Sequence, residues 1–107
     1  MVEESVKLVV TEYLKAVREA GIQARRAVLF GSRARGDADE WSDIDIIVIA
    51  PELDGLTERG LVSRLWELRA DTDSRIEPIP CGETEWETNT ERPILEVARR
   101  EGVVIGN

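Results

Sequence analysis

The run Ser42-Asp43-Ile44-Asp45-Ile46-Ile47-Val48-Ile49 constrains the fold more than any other stretch. Ile44 to Ile49 is too short for a helix and is dominated by β-branched residues, so it reads as a strand. Side chains alternate across a strand. Ile44, Ile46 and Val48 therefore share one face, and Asp45, Ile47 and Ile49 share the other. Beyond Asp45 both faces are apolar. Such a strand is central and needs cover on both sides. Pro51 stops it.

The rest of the chain supplies that cover. Val6, Val9, Val10, Tyr13, Leu14 and Val17 recur at three- and four-residue steps and predict a helix from Glu3 to Ala20, capped by Gly21. Ala27-Val28-Leu29-Phe30 reads as a buried strand that ends at Gly31-Ser32, and a polar stretch runs from Arg33 to Ser42. Leu61, Leu65 and Leu68 predict a second amphipathic helix from Thr57 to Ala70, with Trp66 in the core. Arg75 to Ile79 reads as a short strand that Pro78 and Pro80 bring to an end. A polar loop follows, with Trp86 as its one large apolar residue. Pro93 suits the first turn of a helix from Pro93 to Glu101, and Val103-Val104-Ile105 is a last short strand. The order of elements predicts an α+β fold, a small mixed sheet with helices packed against it, in one domain over residues 1–107.

Composition removes several kinds of chemistry. Hydrophobic residues at 42% and charged residues at 34% describe a soluble folded domain. With 14 basic and 22 acidic residues the net charge is −8, which argues against non-specific binding to phosphate backbones. There is no histidine, which excludes a Ser-His-Asp triad and a His-ligated zinc. Cys81 is the one cysteine, so no disulfide forms within the chain and a cytoplasmic setting is expected. No stretch approaches the length of a membrane span.

Two features carry chemistry. The first is Phe30-Gly31-Ser32-Arg33-Ala34-Arg35-Gly36. A strand that turns through Gly-Ser into a short helix presents free N–H groups to an anion, and glycine lets a phosphate approach the backbone closely. Arg33 and Arg35 lie within one turn and supply charge. Gly31 and Gly36 have the spacing of a P-loop, but Asp37 stands where its lysine belongs, which excludes a Walker-type site. The second feature is Asp43 and Asp45. Two apart on a strand, they project from one face with α-carbons roughly 6.5–7 Å apart. Asp45 among isoleucines is a costly anion that a cation would compensate. An all-oxygen ligand set points to Mg²⁺ or Mn²⁺. Taken singly, the first feature is an ordinary strand–helix turn and the second a solvated strand start. Ten residues separate Ser32 from Asp43, so together they can serve one phosphate and its metal.

This combination resembles the nucleotidyltransferase superfamily related to DNA polymerase beta, with its hydrophobic-Gly-Ser and later Asp-hydrophobic-Asp. The wording over residues 28–49 looks like the minimal nucleotidyltransferases of prokaryotes. The resemblance implies the polymerase-beta-like fold and transfer of a nucleoside monophosphate from an NTP, ATP above all, to a hydroxyl. It implies that Gly31 and Ser32 hold the triphosphate and that Asp43 and Asp45 bind two divalent ions. It also calls for a third acid on a later strand. Glu77 in Ile76-Glu77-Pro78-Ile79 fits best, in place of the more usual aspartate, with Asp73 and Asp71 as the alternatives. Minimal relatives commonly pair with a helical HEPN-domain protein as antitoxin and toxin. Three roles follow from the resemblance: a protein adenylyltransferase antitoxin, an antitoxin that works by complex formation alone, and a small-molecule nucleotidyltransferase. Elsewhere the residues read plainly. Trp41 and Trp86 are read as packing residues, with base stacking or an interface anchor as the alternative; Cys81 is read as inert and Arg99-Arg100 as a solvated helix end.

Overall fold

The isoleucine-rich run is an interior strand, as its two apolar faces require. The computed structural model describes residues 2–54 and 59–106. Its elements are α1 (Glu4–Glu19), β1 (Arg26–Phe30), α2 (Ser32–Arg35), β2 (Ile44–Ile49), α3 (Arg59–Glu67), β3 (Ile76–Cys81), α4 (Glu83–Thr88), α5 (Pro93–Glu101) and β4 (Val103–Gly106). Single 3-10 turns cover Pro51–Leu53 and Leu68–Asp71. The expected start of the second helix at Thr57 lies outside the described residues. The four strands form a sheet in the order β3-β2-β1-β4. β1 is antiparallel to both β2 and β4, and β2 is parallel to β3, so the sheet is mixed. The α+β expectation is met.

Each face of β2 belongs to a different core. Ile44, Ile46 and Val48 pack with Val6, Val10, Tyr13 and Leu14 of α1 and Leu65 of α3. Ile47 and Ile49 pack with Val28, Phe30, and Leu95 and Ala98 of α5. All four isoleucines of β2 are fully buried, and each contributes roughly 1.5–3 kcal/mol by leaving water. The first core also holds a polar contact. The Tyr13 hydroxyl donates to the Leu65 carbonyl at 2.6 Å, tying α1 to α3, and burial raises the Tyr13 pKa. Tyr13→Phe should therefore lower stability by about 1–1.5 kcal/mol. Thermal denaturation should show a Tm roughly 5 °C lower; an unchanged Tm would mean the bond contributes nothing.

Three local expectations are corrected. β3 does not end at its prolines but runs on to Cys81. The carbonyls of Arg75 and Cys81 accept from Ile44 and Ala50, so the odd-numbered residues face β2. Pro78 and Pro80 face the free edge, where a missing N–H costs nothing. The stretch after β3 is not a loop but α4. Its N-terminus is capped from 30 residues away: the Asp54 carboxylate accepts from the Thr84 and Glu85 amides at 3.0 Å each. That interaction also holds Asp54 below the usual carboxylate range. Trp66 is not core. It is 40% exposed, with the Arg69 guanidinium 4.6 Å from its ring centre.

Other readings fare variously. Trp86 packs against the second core, as expected, under the Arg99 guanidinium. Arg99 is more than a solvated helix end, since it donates to the Trp86 carbonyl at 2.6 Å. Cys81 is buried and its thiol is pushed up to about 12, which leaves it unreactive. Among the described residues, no helix is long and apolar enough to cross a membrane.

Candidate active site

The site forms where three strand ends meet. β1 leaves the sheet at Phe30, which stands opposite Asp45 of β2, and Asp45 stands opposite Glu77 of β3. Adjacent strands are about 4.8 Å apart, so register alone brings the Asp45 and Glu77 side chains together. Asp43 lies just before β2 and is exposed, while Asp45 and Glu77 are half-buried. Glu77 feels the charges of both Asp45 and Asp43.

Crowded carboxyls change one another's proton affinity. Burial raises the Asp45 pKa, and the Asp43 charge raises it further, while contacts with Glu77 and Arg35 oppose the rise. Burial first, and then the charges of Asp43 and Asp45, push Glu77 up. Burial is thus the leading cause of both rises, and the mutual contact adds to the rise at Glu77 while opposing it at Asp45.

Gly31 closes this corner. Its φ of +76° is one that residues with a Cβ rarely adopt. A Cβ built there would lie 2.7 Å from Asp45 Oδ2. The glycine thus lets the backbone after β1 rest against the acids. Beyond it the Gly31 carbonyl accepts from the Ala34 and Arg35 amides, which leaves the Ser32 and Arg33 amides without partners inside the helix. α2 is only one turn long, so its macrodipole is small; the anion-binding capacity lies in those amides and the Ser32 hydroxyl.

The two arginines diverge. Arg33 is 92% buried; its Nη2 donates to the Ser42 carbonyl at 2.9 Å, and its Nε has no partner. Arg33 therefore fastens the loop that leads to Asp43. Arg35 is held at the rim by Asp37 and Glu101, at 3.2 Å each, and its charge reaches Asp45. Of the alternative acids, Asp73 is engaged by Arg75 at 2.6 Å, and Asp71 is exposed at the end of a 3-10 turn.

Glu101 and Ser42 contribute to this arrangement without having been singled out in the sequence. Glu101 is 66 residues from the arginine it holds, and no local pattern announces it. The Asp39-x-x-Ser42 spacing does announce a turn, since the Asp39 amide donates to Ser42 Oγ.

A divalent cation fits the donor set. Every group is a carboxylate, the two strand acids lie side by side, and the Gly31 backbone approaches Asp45 closely for want of a Cβ. Among the described residues no three acids close into a ready-made metal cluster; they approach one another with like charges and no counter-ion. Two larger cavities, of about 380 Å³ beside Arg18 and Arg25 and 580 Å³ beside Thr84 and Arg92, lie away from these acids.

The family model described as "Nucleotidyltransferase domain" matches residues 10–95. The chain belongs to the nucleotidyltransferase domain family. The match takes in Gly31, Ser32, Asp43, Asp45 and Glu77. A Methanocaldococcus jannaschii protein, provisionally named a protein adenylyltransferase, is 42% identical over 40 residues, which is 37% of this chain and 40% of the relative. The similarity thus spans well under two thirds of that relative's length. A crystal structure titled as a nucleotidyltransferase from Sulfolobus solfataricus, also provisionally, superposes with a TM-score of 0.60 at 23% identity. It covers 94% of this chain and 78% of the other. That likeness confirms the fold.

Proposed function

We propose that this chain is a minimal nucleotidyltransferase that moves AMP from ATP to a hydroxyl on a partner protein. In this reading it is the antitoxin of a pair whose toxin is a HEPN-domain protein. The observation that carries it is the meeting of Gly31 with Asp45 and Glu77 at one sheet end. The provisional name of the Methanocaldococcus relative supports the choice of a protein as acceptor.

The chain's own groups divide the work. The Ser32 and Arg33 amides and the Ser32 hydroxyl bind the triphosphate, and Gly31 lets it approach. Arg35 leans over the rim and adds positive charge. Asp43, Asp45 and Glu77 are the residues that would hold two Mg²⁺ or Mn²⁺ ions. When bound, such ions neutralise charge on the transferring phosphate and on the leaving pyrophosphate. The acceptor oxygen attacks the α-phosphorus, the bond from that phosphorus to the bridging oxygen breaks, and pyrophosphate leaves with the electron pair. A site carboxylate takes the acceptor proton. Most of the acceleration comes from positioning and electrostatics.

The test uses ATP labelled at the α-phosphate, Mg²⁺ and the product of the neighbouring gene, which this reading expects to be a HEPN-domain protein. One hydroxyl-bearing residue of the partner should gain the mass of AMP, and its toxicity should fall. Neutralisation with no added mass would leave binding alone as the role. Label on a small molecule and not on the partner would make the acceptor that molecule.

A further inference from the structure

Trp41 is not a packing residue: it is 83% exposed, the most exposed of the large apolar side chains among the described residues. It is also firmly mounted. Its amide donates to Asp39 Oδ1 at 2.9 Å, the Asp39 amide donates to Ser42 Oγ at 3.0 Å, and the Ser42 amide donates to the Asp39 carbonyl at 3.2 Å. From beneath, buried Arg33 grips the Ser42 carbonyl at 2.9 Å. A bare indole costs free energy in water, and here a hydrogen-bonded clasp holds the backbone that presents it. Two residues later stands Asp43, so the two α-carbons are at most about 7 Å apart. Trp41 is thus mounted next to the first acid of the site.

We propose that Trp41 is the docking anchor for the acceptor protein, and that it seats against a basic segment of that protein; this rests on the nucleotidyl-transfer reading above. Two occupants compete for an aromatic ring beside such a site: a nucleobase and a protein. Nucleobases are held in clefts, with a wall opposite the ring. A side chain exposed to this degree has no such wall. Protruding tryptophans instead enter pockets on partner proteins and dominate interface energetics. Charge selects the kind of protein. Asp37, Glu40 and Asp43, all within four residues of Trp41 in sequence, are exposed, in a chain of net charge −8. Arg35, the nearest cation in sequence, is already engaged by Asp37 and Glu101. Arginine or lysine side chains can stack on the indole while pairing with the carboxylates. A nucleotide, itself an anion, gains nothing from these flanks. Docking at Trp41 delivers the partner's hydroxyl to the acids next door.

The experiment uses the whole chain and a fluorescein-labelled peptide with a central tyrosine flanked by arginines. A second peptide has glutamates in place of the arginines. Anisotropy should show the basic peptide binding and the acidic one not. Trp41→Ala should weaken that binding at least 10-fold, Glu40→Lys should weaken it severalfold, and Trp41→Phe should retain most of it. Glu91→Lys, an exposed charge change in the α4–α5 connection, should match wild type. ATP·Mg²⁺ affinity, measured separately by calorimetry, should be unchanged in Trp41→Ala. Loss of ATP affinity in Trp41→Ala would overturn the proposal and give the ring to the nucleobase. Peptide binding indifferent to Trp41, or equally sensitive to Glu91→Lys, would also overturn it. If wild type binds the basic peptide through Trp41 but neither binds ATP nor transfers AMP, the nucleotidyl-transfer reading fails and the anchor stands.

Discussion

Asp45→Asn protein should lose AMP transfer by at least about 10²–10³-fold, the effect of removing a preorganised electrostatic group from where charge develops. Single-turnover transfer with labelled ATP measures it. The fold should survive. In the metal-free protein the Asp45 and Glu77 carboxyls both have raised proton affinity, chiefly through burial and then through neighbouring like charge. A raised carboxylate pKa means the folded state disfavours the ionised form. The penalty is absent below the unfolded pKa, grows as pH rises toward the folded pKa, and is complete above it. With chelator present, Asp45→Asn should therefore equal or exceed wild type in Tm at neutral pH, and the difference should vanish in acid. An amide of the same shape also donates to Glu77 instead of repelling it. Mg²⁺ or Mn²⁺ should raise the wild-type Tm and leave the variant unmoved. Undiminished transfer by the variant would remove Asp45 from the mechanism. A variant that fails to fold at neutral pH would contradict the like-charge account.

Much of this site is legible in the sequence because its parts are local. Ile44–Ile49 declares a strand buried on both faces, and both core clusters claim it. Gly31 declares a turn, and the structure adds the reason, an Asp45 carboxylate where a Cβ would be. What is not legible depends on distant partners. α4 looks like a loop because its cap, Asp54, lies 30 residues before the amide it binds. Pro78 and Pro80 look like strand breakers until the sheet order puts β3 at an edge. Arg33 and Arg35 look alike in sequence. One is buried under the Ser42 carbonyl and the other faces Glu101, because a one-turn helix places residues two apart on different sides. Trp66 follows the helical period yet falls at the rim of α3, where a cation covers it. The Asp45–Glu77 pair is set by register between parallel strands, and no spacing in the chain encodes that register.

Gly31→Val should abolish the nucleotide-dependent gain in stability and, with it, transfer. Two independent costs meet at this position. A φ of +76° is strained for any residue with a Cβ and worst for a β-branched one. In addition the Cβ itself would collide with Asp45 Oδ2 at 2.7 Å. Relief comes from turning the backbone or from pushing the carboxylate away, and either route dismantles the corner where phosphate and acids are to meet. The strain is on the order of 1–3 kcal/mol, which a domain with two well-filled cores can survive. The apo Tm should fall by several degrees while the circular dichroism spectrum keeps its native form. Wild type in ATP·Mg²⁺ at 100 times its Kd should gain about 2.7 kcal/mol by mass action; the variant should gain nothing at the same concentration. Gly31→Ala, with the same collision but no branching, should fall between the two in apo stability and still lose the nucleotide effect. An ATP-dependent rise in Tm that persists in both variants would place the phosphates away from the β1–α2 turn. An unfolded valine variant beside a folded, nucleotide-blind alanine variant would still tie binding to Gly31.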